Sequence, residues 1–323
     1  MSEREQIDGL KAVAAEALDI DQARAFLAAR YEGRAERVED AGRGAWSVAY
    51  GFRLDRADYV IRFGNEREDF EKDRRASAHA SAALPIPRVI EIGDAFGGFY
   101  AVSGRAFGGF LDALGEAAMR AALPSLLAVL DAARRVDLSR SSGFGIWGGS
   151  GDAPYASWAE ALLAANQDRP RIGGWRERMA ASRSGCGAFD EAYACLAELA
   201  VACPNDRHLI HSDLLNRNVF VRDNEVTALI DWGCAMYGDF LYELAHLTFS
   251  PLWFPAWREI DFAGEARRHY DAIGLDVPRF AERLRCYEIH IGLEASAYNA
   301  FRGRWDEVEA LMRRTLQAAR TLS

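Results

Sequence analysis

The sequence predicts an α+β chain in two lobes, a small antiparallel sheet with one helix followed by a larger, mainly helical part. Three observations carry this expectation. The chain has 323 residues, more than one hydrophobic core usually organises. Between residues 46 and 102 it runs in short β-prone segments separated by polar or glycine turns. From about residue 104 onward the apolar spacing is mainly helical, apart from one β-prone hairpin. The boundary is expected at 103/104, giving lobes of residues 1–103 and 104–323.

Taken in order, residues 5–31 carry Ile7, Leu10, Val13, Ala14, Ala17 and Leu18 at helical spacing, which predicts an N-terminal helical segment. Residues 46–54 and 58–63 read as strands joined by the turn Asp55-Arg56-Ala57. Residues 67–83 read as a helix that stops before Pro85 and Pro87, because a residue preceding proline avoids the helical region. Val89-Ile90-Glu91-Ile92 and Phe99-Tyr100-Ala101-Val102 form a second strand pair around Gly97-Gly98. The glycine-rich stretch 143–151 reads as a surface loop carrying aromatic packing. Residues 219–221 and 226–230 read as a hairpin around Arg222-Asp223-Asn224-Glu225.

Composition narrows the function classes. Half the residues are hydrophobic, yet no apolar run approaches the ~20 residues of a membrane helix, and the charged start Met1-Ser2-Glu3-Arg4-Glu5 does not resemble a secretory signal. A cytoplasmic protein without a membrane partner is expected. The net charge of −9 argues against a nucleic-acid surface and permits a cationic ligand. Five cysteines, an odd number with no Cys-x-x-Cys pair, point to reduced thiols.

The motif that carries chemistry is His211-Ser212-Asp213-Leu214-Leu215-Asn216-Arg217-Asn218, followed by the hairpin and Ile230-Asp231-Trp232. Phosphoryl-transfer enzymes of the kinase class place an Asp and an Asn at this five-residue step and an Asp-led metal segment beyond it. A hairpin returns the chain to its starting edge, so Asn218 and Asp231 are expected close together. Two oxygen donors suit Mg²⁺, which completes its shell with water and nucleotide phosphates. Asp213 is then placed to accept a hydrogen bond from the attacking hydroxyl. At the crossing between lobes, extended backbone at Ser103, Arg105 and Ala106 is expected to meet the nucleotide base.

These residues, with Phe70-Glu71-Lys72-Asp73-Arg74, Ser81-Ala82-Ala83-Leu84-Pro85-Ile86-Pro87, Asp137-Leu138-Ser139, Ser142-Gly143-Phe144-Gly145 and Ala235-Met236-Tyr237-Gly238-Asp239 with Tyr242-Glu243, resemble the aminoglycoside phosphotransferase family. Within it the chain looks most like the hygromycin B 4-O-phosphotransferases, over about residues 40 to 305. The resemblance implies the bilobal protein-kinase-like fold, with a nucleotide-binding first lobe. It implies Asp213 as the residue that positions or deprotonates the hydroxyl, Asn218 and Asp231 as Mg²⁺ ligands, and ATP or GTP as co-substrate. His211 and Asp239 are implied to support the catalytic loop, and Gly42 to Ser47 to form the nucleotide loop, with Ser47 at its end. The kinase lysine is matched by Arg62; the only lysines are Lys11 and Lys72, so 37 of the 39 basic residues are arginine. Asp73 is expected to be the helix partner of Arg62.

For the acceptor, Glu243, Trp253, Glu294 and Tyr298 are expected to line a pocket for a small cationic aminoglycoside, since carboxylates and aromatic faces suit an amino sugar. Two other functions stay open: a kinase for another small alcohol (amino-sugar, choline-like or homoserine-like), and a nucleotide-binding protein without turnover. A monomer is expected.

Overall fold

The computed structural model of the protein describes residues 18–44, 46–169 and 172–320. The helix expected over 5–31 begins outside them, and its described part is α1 (Ile20–Arg30). Asp19 starts α1 with a reciprocal cap: its carboxylate accepts the Gln22 N–H at 2.8 Å, and its own N–H donates to the Gln22 side chain at 2.9 Å.

Five antiparallel strands follow: β1 (Glu36–Arg43), β2 (Ser47–Leu54), β3 (Ala57–Gly64), β4 (Val89–Ala95) and β5 (Gly98–Gly104), in the order β1-β2-β3-β5-β4. The two-residue period of strands explains the layers. Val48, Tyr50 and Phe52 of β2, Ile61 and Phe63 of β3, and Tyr100 and Val102 of β5 share one core with Ala23 and Leu27 of α1. The opposite face places Ala101 and Val89 against Phe70 of α2 (Arg67–Ser77).

β1 was not expected. Its sequence, Glu-Arg-Val-Glu-Asp-Ala-Gly-Arg, is almost wholly exposed, and charge of this kind protects an edge strand from pairing with other chains. The helix expected to reach residue 83 ends at Ser77. The Ser77 hydroxyl donates to the Arg74 carbonyl at 2.8 Å, and the turn beyond closes with the Leu84 N–H on the Ser81 carbonyl at 3.2 Å. Local turn bonds therefore replace the last helical turns before Pro85.

The hairpin of Val219–Arg222 and Glu225–Leu229 turns through Asp223 and Asn224, both at positive φ (54° and 66°), the conformation favoured in two-residue hairpin loops. It is tied to the first part of the chain by the Leu229 N–H on the Pro85 carbonyl (2.9 Å) and the Thr227 hydroxyl on the Phe107 carbonyl (3.0 Å). The chain accordingly divides into one compact unit of residues up to Gly109 with Asn218–Arg222 and Val226–Gly233, and a second unit of the rest. A cut at 103/104 follows the chain; the structure carries most of the hairpin of residues 219–229 back into the first unit.

In the second unit α3 (Glu116–Arg134), α4 (Trp158–Leu163), α5 (Trp175–Ala181), α6 (Gly187–Ala200), α7 (Leu241–Phe249), α8 (Phe262–Ala272), α9 (Phe280–Phe301) and α10 (Trp305–Arg320) follow one another. The central helix α9 packs against α5, α6, α7 and α10. At its crossing with α10 a Cβ on Gly292 would lie 1.9 Å from the Thr315 hydroxyl, so only glycine permits the approach. The glycine-rich stretch is not a surface loop. Gly145–Ile146 pairs with Met236–Gly238 in a three-stranded sheet that also contains His208–Ile210. Trp147 is buried and stacks on Tyr237 at 5.7 Å.

Among the described residues no helix is long and apolar enough to cross a membrane, and all five cysteines are free thiols. The buried Asp239 accepts two bonds from the Arg283 guanidinium, at 2.8 and 2.7 Å, and one from the Tyr287 hydroxyl. Removing one member of such a pair strands the other charge away from water, at about 3–5 kcal/mol. Arg283→Ala should therefore lower the midpoint of thermal unfolding markedly, whereas the exposed Arg24→Ala should not; equal midpoints in a denaturation scan would refute this.

Candidate active site

In the first unit Arg62 lies in the second half of β3, directly opposite Ala49 of β2 and Ala101 of β5. Directly opposed residues share a sheet face, and these two small side chains leave room for the guanidinium. It lies 5.3 Å from the Phe70 ring and forms an ion pair with Asp73 of α2. Burial pulls its pKa down, and the carboxylates of Asp231 and Asp69 oppose that shift. An arginine stays protonated under such conditions.

The other Asp73 oxygen accepts the Trp232 N–H at 2.7 Å, and Lys72, the preceding residue, donates to the Gly233 carbonyl. The Ile230 N–H donates to the Asn218 carbonyl at 2.9 Å. This bond brings the segments of Asn218 and Asp231 together, as the hairpin argument requires. Asn218 is buried, Asp231 is exposed, and Asp231 has a left-handed backbone with φ 60°. Asp69 was missed from the sequence. Its one signal is its place four residues before Asp73 on the same helix face.

The other residues expected at the nucleotide fare differently. Ser47 opens β2, and its carbonyl accepts the Gly44 N–H at 2.9 Å; its neighbour Ala45 lies outside the described residues. Ser103 is paired within the sheet, opposite Val60 and Val89. Arg105 directly follows β5. Its N–H donates to the Asp58 carbonyl at 3.1 Å, and its guanidinium pairs with Glu39 at 2.6 Å and lies over Phe107. Its charged side chain is drawn to the carboxylate on the edge strand that the sequence did not reveal. Ala106 borders a cleft of about 380 Å³ with Pro85, Pro87 and Thr227.

In the second unit the catalytic loop is built around His211, which is 1 % exposed. The Asp213 N–H meets His211 Nδ1 at 3.3 Å, and the Asn216 amide reaches the Asp213 carboxylate at 3.4 Å. Ser212 (φ 66°) and Arg217 (φ 61°) are left-handed, and the Arg217 N–H is held by Asp112 at 3.0 Å.

Glu243 corrects two expectations. Instead of lining an acceptor pocket, it is buried beneath the loop, where one carboxylate oxygen accepts the N–H groups of His211 and Ser212, the latter at 3.0 Å. Asp239, expected to support the loop, instead anchors the start of α7 to Arg283 and Tyr287 of α9. Both are buried acids at the start of one helix, and the sequence does not reveal which of them meets the loop. Burial pushes the Glu243 pKa up to about 7; the two N–H bonds lower it, and Asp213 raises it further.

Of the other residues expected to line an acceptor pocket, Glu294 is half-buried and paired with Arg169, with Tyr298 one turn further along α9. Trp253 is exposed and packs on Phe249 at 5.2 Å.

Residues 38–282 match the model of the phosphotransferase enzyme family. The chain belongs to the phosphotransferase enzyme family. It is 34 % identical to a hygromycin-B 4-O-kinase of Escherichia coli over 286 residues, 87 % of this chain and 80 % of that one. Among solved structures, aminoglycoside phosphotransferase APH(4)-Ia in ternary complex with AMP-PNP and hygromycin B superposes with a TM-score of 0.80 at 31 % identity, covering 92 % of this chain and 97 % of its own. An aminoglycoside 2'-phosphotransferase-IIIa in complex with GDP, 12 % identical, shares the fold with a TM-score of 0.61 over 93 % of this chain and 97 % of its own. This phosphotransferase has the α+β kinase-like fold that its sequence predicts.

The Glu243 shift has a sign that can be tested. Its folded pKa, about 7, lies above its ordinary 4.5, so the folded state holds an extra proton between those values. Stability from this group is full below pH 4.5 and is lost as pH rises through 7, by roughly 3 kcal/mol at most. Glu243→Gln cannot ionise, so the unfolding midpoint of wild type relative to this variant should fall between pH 5 and pH 8. A constant difference across that range would sink the assignment.

Proposed function

We propose that this phosphotransferase moves the γ-phosphoryl group of ATP or GTP to a hydroxyl of hygromycin B or a closely similar aminoglycoside, and so inactivates the antibiotic. The observation that carries this reading is the Asp213, Asn218 and Asp231 constellation in a chain 34 % identical to a hygromycin-B 4-O-kinase. The related APH(4)-Ia, crystallised with AMP-PNP and hygromycin B, supports both co-substrates.

In this reading Asp213 orients the acceptor hydroxyl and takes its proton as the hydroxyl oxygen attacks the γ-phosphorus. The phosphoryl group passes directly to the acceptor, the bond to the β-phosphate oxygen breaks, and no covalent enzyme intermediate is needed. Arg62 supplies a fixed positive charge for the nucleotide phosphates, with Asp73 as its partner. Asn218 and Asp231 offer one amide and one carboxylate oxygen, hard donors that fit Mg²⁺ with phosphate and water completing the shell. The metal, when bound, neutralises phosphate charge. Ser47, Ser103 and Ala106 belong to the nucleotide side.

Glu294, Tyr298 and Trp253 belong to the acceptor side, where a carboxylate and aromatic faces suit a cationic sugar. Glu294 fits this role because a partly exposed carboxylate already holds a guanidinium, that of Arg169. We infer a monomeric enzyme acting in the cytoplasm.

Turnover is to be measured against hygromycin B, a panel of other aminoglycosides, and small amino-sugar, choline-like and homoserine-like alcohols. Hygromycin should be the preferred acceptor; preference for a small alcohol would replace this reading with a metabolite kinase. Asp213→Ala should lower kcat by about 10²–10⁴. Arg62→Ala should raise the apparent KM for the nucleotide about tenfold, a loss of about 1.4 kcal/mol. An unchanged nucleotide dependence would remove Arg62 from the site.

A further inference from the structure

Lysine is nearly absent from this chain, yet one of its two lysines, Lys72, is 4 % exposed. A buried ammonium is costly unless protein groups replace its water. Lys72 directs Nζ to the carbonyl of Gly233, and the next residue, Asp73, accepts the N–H of Trp232. Two consecutive residues of α2 thus hold two consecutive residues of the segment that follows Asp231.

Asp231 needs such holding. A non-glycine residue at φ 60° carries about 1–2 kcal/mol of backbone strain and keeps that conformation only where its surroundings impose it. Trp232 is 1 % exposed and its indole N–H reaches the Leu229 carbonyl at 3.4 Å, which fixes the side-chain end of the same turn. The turn is also packed closely: a Cβ on Gly233 would lie 3.4 Å from an Asp231 carboxylate oxygen and 3.8 Å from one of Asp69. Release of the Gly233 carbonyl would free a peptide that borders those carboxylates.

We propose that Lys72 is a positioning residue that fixes the Asp231 carboxylate for the metal–nucleotide complex, acting through the Gly233 carbonyl. With Asp73 joined both to Arg62 and to the Trp232 N–H, α2 sets the phosphate-binding charge and the metal-binding carboxylate together. The proposal rests on Asp231 being a metal ligand and does not depend on the acceptor.

Lys72→Met keeps the stem and removes the ammonium, and Lys72→Gln keeps a shorter donor. ADP binding to the full chain is to be measured by calorimetry with Mg²⁺ and with a chelator. Wild type should bind ADP more tightly with Mg²⁺. In Lys72→Met that metal-dependent gain should shrink about tenfold, or about 1.4 kcal/mol, while affinity in chelator stays within about twofold, with Lys72→Gln intermediate. If Lys72→Met does not fold, Lys72→Gln carries the test with the same reading. An undiminished gain would overturn the proposal, and an equal loss with and without metal would overturn it in favour of direct contact with nucleotide. A wild type without any metal-dependent gain would show that the metal reading of Asp231 fails, and the role of Lys72 with it.

Discussion

The ion pair between Arg62 and Asp73 is the constraint that the first unit is arranged around. A guanidinium on the inner strand of a sheet loses most of its water, and it is stable there only because carboxylates replace that water. This requirement selects the small residues Ala49 and Ala101 opposite it and places α2 with an acid facing the sheet. Because the second Asp73 oxygen is bonded to the Trp232 main chain, the pair also reaches into the hairpin segment. One interaction therefore joins the sheet, its covering helix and the returning hairpin, which explains why the hairpin belongs to the first unit although Trp232 follows Asp73 by 159 residues.

The second unit solves a comparable problem by other means. Its catalytic loop contains a left-handed Ser212 and a buried His211, a backbone that leaves N–H groups to be satisfied away from water. Glu243 supplies the acceptor. Asp239 and Arg283 then fix α7 to the central helix α9, so the element carrying Glu243 is itself anchored. One left-handed residue in each unit, Ser212 and Asp231, lies in a segment whose main chain is held by buried polar groups of a helix.

What the sequence reveals depends on whether the physical cause is local. The strand pairs 46–54 with 58–63 and 89–92 with 99–102 are legible because period-two burial and polar turns are written within a few residues, and the match of Arg62 with Asp73 follows from the resemblance. β1 is not legible, because an edge strand selected for charge lacks apolar alternation. The end of α2 depends on turn bonds from Ser77 and Ser81 that compete with helix continuation. Trp147 reads as loop because its stacking partner, Tyr237, is remote in the chain. The exchange of roles between Glu243 and Asp239 has the same origin: each is one buried acid, and only tertiary packing decides which meets the loop. The ion pair of Arg105 is not legible either, because its partner Glu39 lies on that same edge strand.

Arg62 and Glu243 give the two units different responses to acidity. An arginine with carboxylate neighbours keeps its proton throughout the range in which enzymes operate, so the charge that β3 carries at this position is constant. The carboxyl beneath the catalytic loop, by contrast, changes its charge near neutrality. Moderate shifts of pH therefore leave the Arg62 charge untouched and act on the Glu243 carboxyl, and through it on the hold that this acid keeps on the His211 and Ser212 N–H groups.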